Sequence, residues 1–359
     1  MDLPVLPPLA PMLAKATDRL PDGDGWIFEP KWDGFRCLVF RDGDTVELGS
    51  RNDRPLTRYF PELLEPLRDA LPDRCVVDGE VVVVTDHGLD FDQLGQRIHP
   101  AASRIERLAR ETPASFVAFD LVALADRDLR TSPFHERRRL LEEILGGAEP
   151  PIHLCPATTD RNLAADWFER FEGAGFDGVM AKAPDDPYQS GKRAQWKVKH
   201  KRTADVVVAG YRTHKDGVGI GSLLVGVHDA DGRLHNLGVA SAFSAARRAE
   251  LVAEVAPYED GGLEGHPWSA WADASAHQQG DTRMPGAPSR WSGSKELGWT
   301  PLRCELVLEV VYEGLSGMRF RHPARFLRWR PDKSPAECRY DQMEHPPPVE
   351  LQTVFSPRR

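Results

Sequence analysis

The pattern of the chain changes near residue 203, and this change limits the possible folds more than any other feature. Before it, short β-like runs alternate with helical ones, which predicts a mixed sheet-and-helix domain. The predicted strands are 35–40, 45–48, 75–84, 115–124, 176–181 and 195–199, and the predicted helices are 56–71, 134–145 and 162–172. A length of 359 residues leaves room for two domains. We therefore expect the first domain to occupy 1–202.

The remainder, 203–359, has the pattern of a small β domain. Strands are predicted at 204–211, 223–227, 234–239, 304–313 and 318–322, with one helix that has Ser244 as its N-cap and ends at Val255. Short strands with a single helix are typical of a barrel of the OB type. The stretch 258–299 is rich in Gly, Pro, Ser and Trp, which predicts an irregular insertion or a long loop.

Charge and composition exclude some classes of protein. The formal net charge of −9 argues weakly against a protein that coats nucleic acid without specificity. Two basic clusters nevertheless occur, at 192–202 and 319–333, each with six Lys or Arg, although two solvated faces would produce the same pattern. The five scattered cysteines contain no C-x-x-C pair and indicate core thiols. Because no long apolar run or signal peptide is evident, we expect a cytoplasmic protein that does not bind membranes.

One short motif, Glu29-Pro-Lys31-Trp-Asp33-Gly34-Phe-Arg36, suggests chemistry. Lys31 directly precedes a predicted hairpin, so its amine can be presented at a fixed place. Gly34 would permit close approach of a ligand to the backbone. Alone, a K-x-D-G match is a weak signal and is equally compatible with a surface turn.

Further motifs follow in order along the chain. They are Ser50-Arg51-Asn52, Asp78-Gly79-Glu80, Phe119-Asp120-Leu121, Asp177 to Lys182, Lys197-Val198-Lys199 and Arg330-Pro331-Asp332-Lys333. With the lysine motif, this series resembles the covalent nucleotidyltransferases, and specifically the ATP-dependent DNA ligases. The resemblance extends from Glu29 to Lys333 and implies an α+β fold, in which an ATP-grasp-like nucleotidyltransferase (adenylylation) domain precedes a C-terminal OB-fold β-barrel.

The resemblance implies that Lys31 attacks the α-phosphate of ATP and carries AMP as a phosphoramidate. The attacking amine must be neutral, whereas an ordinary lysine has a pKa of about 10.4. Lys197 and Lys199, two residues apart on a predicted strand, would share one face. There they would lower the pKa of the nucleophile and hold the α-phosphate, unless they form only an exposed strand face.

Two carboxylates are implied as metal ligands. Glu80 would contact the ribose or organise the metal, and Asp177 would bind the metal where many relatives have Glu. The expected ion is Mg²⁺ or Mn²⁺, and because Asp is shorter, a water-bridged contact is as plausible as direct coordination. For both acids the alternative is a turn or a position at the edge of the core.

Three further residues are implied at the nucleotide. Phe119 would stack on adenine, unless it only packs in the core. Glu29 lies where the family reads the adenine edge. Lys182 would approach the phosphate or the ribose, and a solvated strand end is the alternative.

The remaining implied contacts involve DNA and the leaving group. Arg36 and Arg51 resemble the residues that grip the 5′-phosphate of a nick, for which an arginine fork is well suited. Arg330, Asp332 and Lys333 match the C-terminal motif that orients pyrophosphate opposite the lysine. That role implies motion between the domains, with a hinge expected near residues 199–203.

Together these features predict an ATP-dependent ligase of the small bacterial repair type, acting on nicked duplex DNA and with repair proteins as candidate partners. ATP would be the cosubstrate. Within the superfamily, an RNA ligase and an mRNA-capping guanylyltransferase share the lysine motif and remain alternatives. A non-catalytic DNA-binding scaffold is the alternative from a different class.

Overall fold

The chain divides into two compact units, and the division falls between Lys199 and His200. The computed structural model describes residues 1–51, 54–86, 88–259, 262–269 and 298–343. Asn52, the segment 344–359 and most of the predicted insertion at 258–299 lie outside these described residues. None of the described helices has the length and hydrophobicity that a bilayer span requires.

The first unit is built on two sheets with helices around them. Its strands are β1 (Leu13–Thr17), β2 (Ile27–Pro30), β3 (Phe35–Asp42), β4 (Thr45–Ser50), β5 (Arg74–Thr85), β6 (Gly88–Leu89), β7 (Ala114–Leu124), β8 (Arg127–Asp128), β9 (Ile152–Leu154), β10 (Val179–Lys182) and β11 (Arg193–Val198). Its helices are α1 (Leu64–Ala70), α2 (Phe91–Gln96), α3 (Ala102–Glu111), α4 (Phe134–Leu145) and α5 (Arg161–Phe171).

The larger sheet has the order β4-β3-β5-β7-β8, with β6 paired to β5 and β9 to β7. The smaller sheet has the order β1-β11-β10-β2. Strand β5 is buried on both faces, which explains its continuous valine run: Val77 and Val76 pack in different core clusters. Glu80 and Asp78 therefore sit in an apolar strand at the centre of the larger sheet.

Two local predictions in the first unit were wrong at their ends. The predicted helix at 56–71 is two 3₁₀ turns, Thr57–Tyr59 and Pro61–Leu63, followed by the short helix α1. Pro61 disfavours the helical conformation at the preceding residue. The predicted strand at 176–181 starts only at Val179, because Gly178 has a φ of +129° and turns the chain before β10.

The second unit contains a closed barrel, and the predicted fold class is confirmed. Its strands are β12 (Arg202–Thr213), β13 (Ile220–His228), β14 (Leu234–Ser241), β15 (Thr300–Tyr312), β16 (Leu315–Ser316), β17 (Arg319–Phe320) and β18 (Ala324–Trp329), with helix α6 (Ala245–Val255). The barrel order is β12-β13-β14-β18-β15, and the parallel pairing of β14 with β18 closes it. The Ser244 hydroxyl accepts a hydrogen bond from the Arg247 N–H, as expected of an N-cap.

One part of the predicted insertion belongs to the barrel core. Trp268 is fully buried, and its indole N–H donates to the carbonyl oxygen of Leu234 at 2.8 Å. The predicted strand at 318–322 is shorter than expected: only Arg319–Phe320 is extended, and it pairs with Leu315–Ser316 outside the barrel.

Candidate active site

The loop that carries Lys31 joins β2 to β3 and is held by neighbouring backbone. The N–H of Lys31 donates to the carbonyl of Gly178 at 2.8 Å, and the N–H of Asp177 donates to the carbonyl of Lys31 at 3.0 Å. A Cβ on Gly34 would lie 2.1 Å from the carbonyl oxygen of Val81 in β5. The expectation for Gly34 therefore needs correction, because the close approach that demands glycine is to β5.

An ion-paired cluster surrounds the Lys31 amine. Its Nζ lies 2.8 Å from Oδ2 of Asp177, and the Nζ of Lys199 lies 3.0 Å from the same oxygen. The Lys31 side chain is 20% exposed, so it does not extend into bulk water. Although burial opposes ionisation, the two ammonium groups hold the pKa of Asp177 well below its usual range. Lys197 lies in β11 opposite Met180, whereas Lys199 lies one residue beyond the strand.

A cavity opens beside this cluster. It is lined by Glu29, Pro30, Lys31, Trp32, Arg36, Glu80, Phe119, Met180, Lys182 and Gln195. Six of these residues were predicted from the sequence as site residues, namely Glu29, Lys31, Arg36, Glu80, Phe119 and Lys182. The fold thus brings together side chains from β2, β3, β5, β7 and β10 that are far apart in the chain.

Glu80 differs from the other carboxylates of the site because its side chain makes no hydrogen bond or ion pair with any described residue. Burial raises its pKa to about 7, despite the nearby positive charges of Arg36 and Lys31. Asp78 and Asp177 act in the same direction as burial. Glu80 is therefore an acceptor without a protein donor.

Arg36 is held by a chain of polar contacts. Its Nε and Nη2 each donate to a different oxygen of Asp78 at 2.5 Å, and the hydroxyl of Tyr188 donates to Asp78 Oδ2 at 2.5 Å. The guanidinium carbon lies 4.4 Å from the ring centroid of Phe119. Its Nη1 makes no hydrogen bond within the described residues, which leaves the two N–H groups of this nitrogen for a ligand.

The far wall of the cavity is a buried charge network. Glu29 forms ion pairs with Lys182 at 2.7 Å and with Arg138 at 3.5 Å, and all three side chains are nearly fully buried. Lys182 also donates to the carbonyl oxygen of Phe119 at 3.2 Å. The alternative of a solvated strand end is therefore wrong for Lys182.

Sequence reasoning missed three residues of this site: Asp78, Arg138 and Tyr188. Asp78 belongs to the Asp78-Gly79-Glu80 motif, in which the resemblance gives a role only to Glu80, although a carboxylate in a valine-rich central strand requires a partner. Tyr188 and Arg138 carry no comparable signal, because Tyr188 lies in a loop and Arg138 stands among three consecutive arginines of α4.

Arg51 does not line the cavity. It follows Ser50, the last residue of β4, which pairs with Cys37 in β3. Arg51 is exposed and lies at the same end of the sheet as Arg36. Its motif neighbour Asn52 is outside the described residues.

The C-terminal motif forms a second charge cluster within the second unit. Nη1 of Arg330 lies 2.9 Å from Oδ1 of Asp205, and Nζ of Lys333 lies 2.5 Å from Oδ2 of the same carboxylate. Arg330 also pairs with Asp332 at 2.8 Å, and this hydrogen bond lowers the pKa of Asp332 to about 2. Asp205 was not identified from the sequence.

The described residues contain no group of three or more His, Cys, Asp or Glu that could enclose a metal ion. Asp177 pairs with Lys31, and the charges of Lys31 and Asp177 both act on Glu80. Mg²⁺ is usually bound by one or two carboxylates together with substrate phosphates and water. The carboxylates of Glu80 and Asp177 therefore fit a Mg²⁺ ion that enters together with a nucleoside triphosphate.

Comparison with known proteins agrees with this geometry. Residues 11–201 match the family described as "ATP dependent DNA ligase domain", and residues 216–333 match "ATP dependent DNA ligase C terminal region". DNA ligase C of Mycobacterium tuberculosis is 53% identical, with 99% of each chain covered, and DNA ligase C2 of Mycolicibacterium smegmatis is 52% identical, with 97% of each covered.

More distant relatives share parts of this similarity. The multifunctional non-homologous end joining DNA repair protein LigD of M. tuberculosis is 32% identical over 92% of this chain and 39% of its own length. A solved structure of a Lig E DNA ligase has a TM-score of 0.55, at 18% identity, over 89% of this chain and 99% of the other. At that identity the structural similarity concerns the fold alone.

With this fold and these matches, the class of protein is a nucleotidyltransferase. Given the matches to both halves and the identity over its whole length, the chain belongs to the ATP-dependent DNA ligase family. The resemblance seen in the sequence is confirmed, and ATP is the nucleotide that this family uses.

Proposed function

We propose that this ligase seals nicks in duplex DNA through an AMP carried on Lys31. The observation that supports the proposal most directly is the position of the Lys31 amine, which lies at a cavity lined by Glu29, Glu80 and Phe119. In the first step the Lys31 nitrogen bonds to the α-phosphorus of ATP. The bond from that phosphorus to the bridging oxygen breaks and pyrophosphate leaves with the electron pair. The nitrogen gives one proton to solvent before the attack and a second to solvent or pyrophosphate after it, so one N–H remains in the phosphoramidate.

The Lys31 ammonium must lose a proton before it can attack. Its ion pair with Asp177 stabilises the protonated form, so this pair must break first. Lys199 shares the same carboxylate oxygen, and together with Lys197 it would take over the α-phosphate. The negative charge that develops on this phosphate during attack would be stabilised by both lysines.

The nucleotide would be positioned by the walls of the cavity. Phe119 would stack on adenine, and Glu29 would accept from the adenine edge while Lys182 holds its carboxylate in place. Arg36, through its unbonded Nη1, and Glu80 would contact the phosphate and the ribose. In the second unit Arg330, Asp332 and Lys333 would orient the pyrophosphate.

A divalent cation, Mg²⁺ or Mn²⁺, would be held by Glu80 and Asp177 together with the phosphates. When bound, such an ion neutralises phosphate charge and makes the phosphorus easier to attack. Asp177 would then exchange its lysine partners for the ion.

We propose residues 1–202 as the adenylylation domain and 203–359 as the OB-fold domain. Nicked duplex DNA would be the second substrate, with Arg36 and Arg51 at its 5′-phosphate. AMP would pass to this phosphate, and the adjacent 3′-hydroxyl would displace AMP to close the strand. Because relatives include a DNA repair protein, we assign the enzyme to repair.

Mass spectrometry of the full chain after incubation with ATP and Mg²⁺ tests the first step. The wild type is expected to gain the mass of one AMP on the peptide that contains Lys31. Lys31→Ala should gain none, whereas Lys192→Ala, which removes an exposed lysine, should label like the wild type.

Nicked substrates then test the second part. The wild type is expected to seal nicked DNA with ATP and not with GTP. Labelling by GTP alone would contradict the proposal, as would sealing confined to nicked RNA. Binding of nicked DNA without any covalent nucleotide would instead indicate a scaffold.

A further inference from the structure

Asp205 lies at the centre of the charge cluster in the second unit. It belongs to β12, is opposite Glu309 of β15 in the strand register, and is 8% exposed. The side chain of Gln342 fixes its backbone from both sides: the Asp205 N–H donates to Oε1 of Gln342 at 2.8 Å, and Nε2 of Gln342 donates to the Asp205 carbonyl at 3.0 Å. The carboxylate is therefore attached to a rigid part of the barrel.

This carboxylate holds two long cationic side chains at once. One oxygen accepts from Arg330 at 2.9 Å and the other accepts from Lys333 at 2.5 Å. Asp332 binds the opposite edge of the Arg330 guanidinium, with Nε and Nη2 donating at 2.9 and 2.8 Å. Free Arg and Lys side chains each carry about 2 kcal/mol of rotamer entropy. Asp205 removes much of this freedom before any ligand binds.

The backbone around the two cations is also ordered. The N–H of Arg330 donates to the carbonyl of Val307 at 2.9 Å, and the N–H of Lys333 donates to the carbonyl of Arg330 at 3.2 Å. Both side chains therefore leave a fixed turn and converge on one carboxylate. A pair of cations held in this way is suited to a polyanion that offers several phosphate oxygens.

We propose that Asp205 is a positioning residue for the adenylylation step, which aligns Arg330 and Lys333 for the leaving pyrophosphate. The inference rests on the proposed function and adds a residue to it. Pyrophosphate departs only when the nitrogen of Lys31 bonds to the α-phosphorus and the bond from that phosphorus to the bridging oxygen breaks. The contribution of Asp205 is therefore confined to this step and to its reversal.

The substitution Asp205→Asn tests the inference, because it keeps the shape and the backbone contacts and weakens both ion pairs. The expected result is a rate of Lys31 adenylylation at saturating ATP that is lower by about ten-fold or more. The rate at which pyrophosphate removes AMP from Lys31 should fall by the same factor, because this reaction is the reverse of adenylylation and passes through the same transition state. Sealing of a nick whose 5′-phosphate already carries AMP should stay within about two-fold of wild type. Asp205→Glu should recover part of the loss.

Glu309→Gln is the matched control. Glu309 lies across the strand pair from Asp205 and 3.9 Å from Arg330, and its hydrogen bond goes to Arg328 at 2.5 Å. The substitution Glu309→Gln therefore removes one negative charge from the same region, while Asp205 and Asp332 still hold Arg330 and Asp205 still holds Lys333. We expect its adenylylation rate to stay within about two-fold of wild type.

Three outcomes would overturn the inference. The first is an adenylylation rate in Asp205→Asn that equals or exceeds that of the wild type. The second is an adenylylation rate in Glu309→Gln that falls as far as that of Asp205→Asn. The third is an Asp205→Asn protein that seals pre-adenylylated DNA more slowly by the same factor and has a lower melting temperature. The last would assign Asp205 to fold stability alone. A failure of the proposed function is distinguishable, because the wild type would then carry no AMP on Lys31.

Discussion

At the scale of single residues, the same chemical group behaves in opposite ways within one site. Asp177 is paired with two lysines, which lower its pKa, whereas burial without a donor raises the pKa of Glu80 to about 7. The difference comes from the surrounding charges and not from the carboxyl group itself. In the absence of ligand, Asp177 is therefore a stabilising anion and Glu80 is a destabilising one.

The raised pKa of Glu80 predicts a specific pH dependence of stability. The folded-state pKa of about 7 exceeds the ordinary value of 4.5, so Glu80 has no effect on stability below pH 4.5, lowers it progressively as the pH rises from 4.5 to 7, and lowers it by a constant amount above pH 7. Glu80→Gln should raise the free energy of unfolding by about 1–3 kcal/mol at pH 8, and the gain should vanish near pH 4. Urea unfolding at both pH values, without nucleotide and in the presence of a chelator, measures the free energy of unfolding of the two proteins.

Glu47→Gln, at an exposed position of β4, is the control for this measurement and should show no pH-dependent gain. If Glu80→Gln were no more stable than the wild type at pH 8, the description of Glu80 as a half-buried carboxylate without a protein donor would be wrong.

At the scale of elements, the site depends on how closely the Lys31 loop approaches β5. The loop and the strand are in contact at Gly34, where there is no room for a side chain. Gly178 plays the matching role before β10, because a Cβ there would lie 2.0 Å from the carbonyl oxygen of Val198. Both glycines thus allow the loop, β5, β10 and β11 to converge on one amine.

Gly34→Ala is expected to displace this loop. Overpacking of this kind costs about 1–3 kcal/mol of stability, and a shift of about 1 Å at a reacting group can cost about 100-fold in rate. We therefore expect adenylylation of Lys31 to fall by about 100-fold in a protein that still folds. Single-turnover labelling and circular dichroism report the two effects separately.

Gly49→Ala provides the comparison for this substitution, because a Cβ there meets only ordinary contacts, the nearest at 3.5 Å from the Phe40 ring. Its labelling rate should equal that of the wild type. A Gly34→Ala protein with wild-type labelling would show that the loop tolerates a side chain against β5.

At the scale of the whole molecule, the two units have separate hydrophobic cores. The barrel core contains only residues of the second unit, and the other core clusters contain only residues of the first. Among the residues that the structure describes, Trp268 has the largest fully buried side chain. It fills the barrel beside Gly226, where a Cβ would lie 2.9 Å from the indole ring. Part of the Trp-rich segment is therefore structural.

Trp268→Ala should leave a cavity and destabilise the second unit by about 3–5 kcal/mol. In hydrogen exchange, the amides of β12 to β15 should become less protected, while those of β3, β5 and β7 should keep their protection. Val252→Ala, at an exposed position on α6, is the control and should change stability by about 0.5 kcal/mol or less. Loss of protection in β5 of the Trp268 variant would contradict the separation of the cores.

Much of the fold could be predicted because its signals are local. The hairpin of β3 and β4, the helix α4 and the Ser244 N-cap each depend on residues a few positions apart, and the structure has all three. The short edge strands and β18 were missed, since short polar strands show no clear alternation. The prediction of one helix over 56–71 was wrong because Pro61 disfavours a helical conformation at the residue before it, despite the helical spacing of the leucines.

The sequence by itself determined which chemical groups this protein has and in what order: a lysine before a hairpin, acids in apolar strands, and basic motifs that define a family. Only the tertiary structure decided which charges meet. Lys31 pairs with Asp177 across 146 positions of sequence, and Arg330 pairs with Asp205 across 125. The reason is physical: side-chain type and local pattern depend on near neighbours, whereas the energy of a buried charge depends on the partner that the folded chain places beside it.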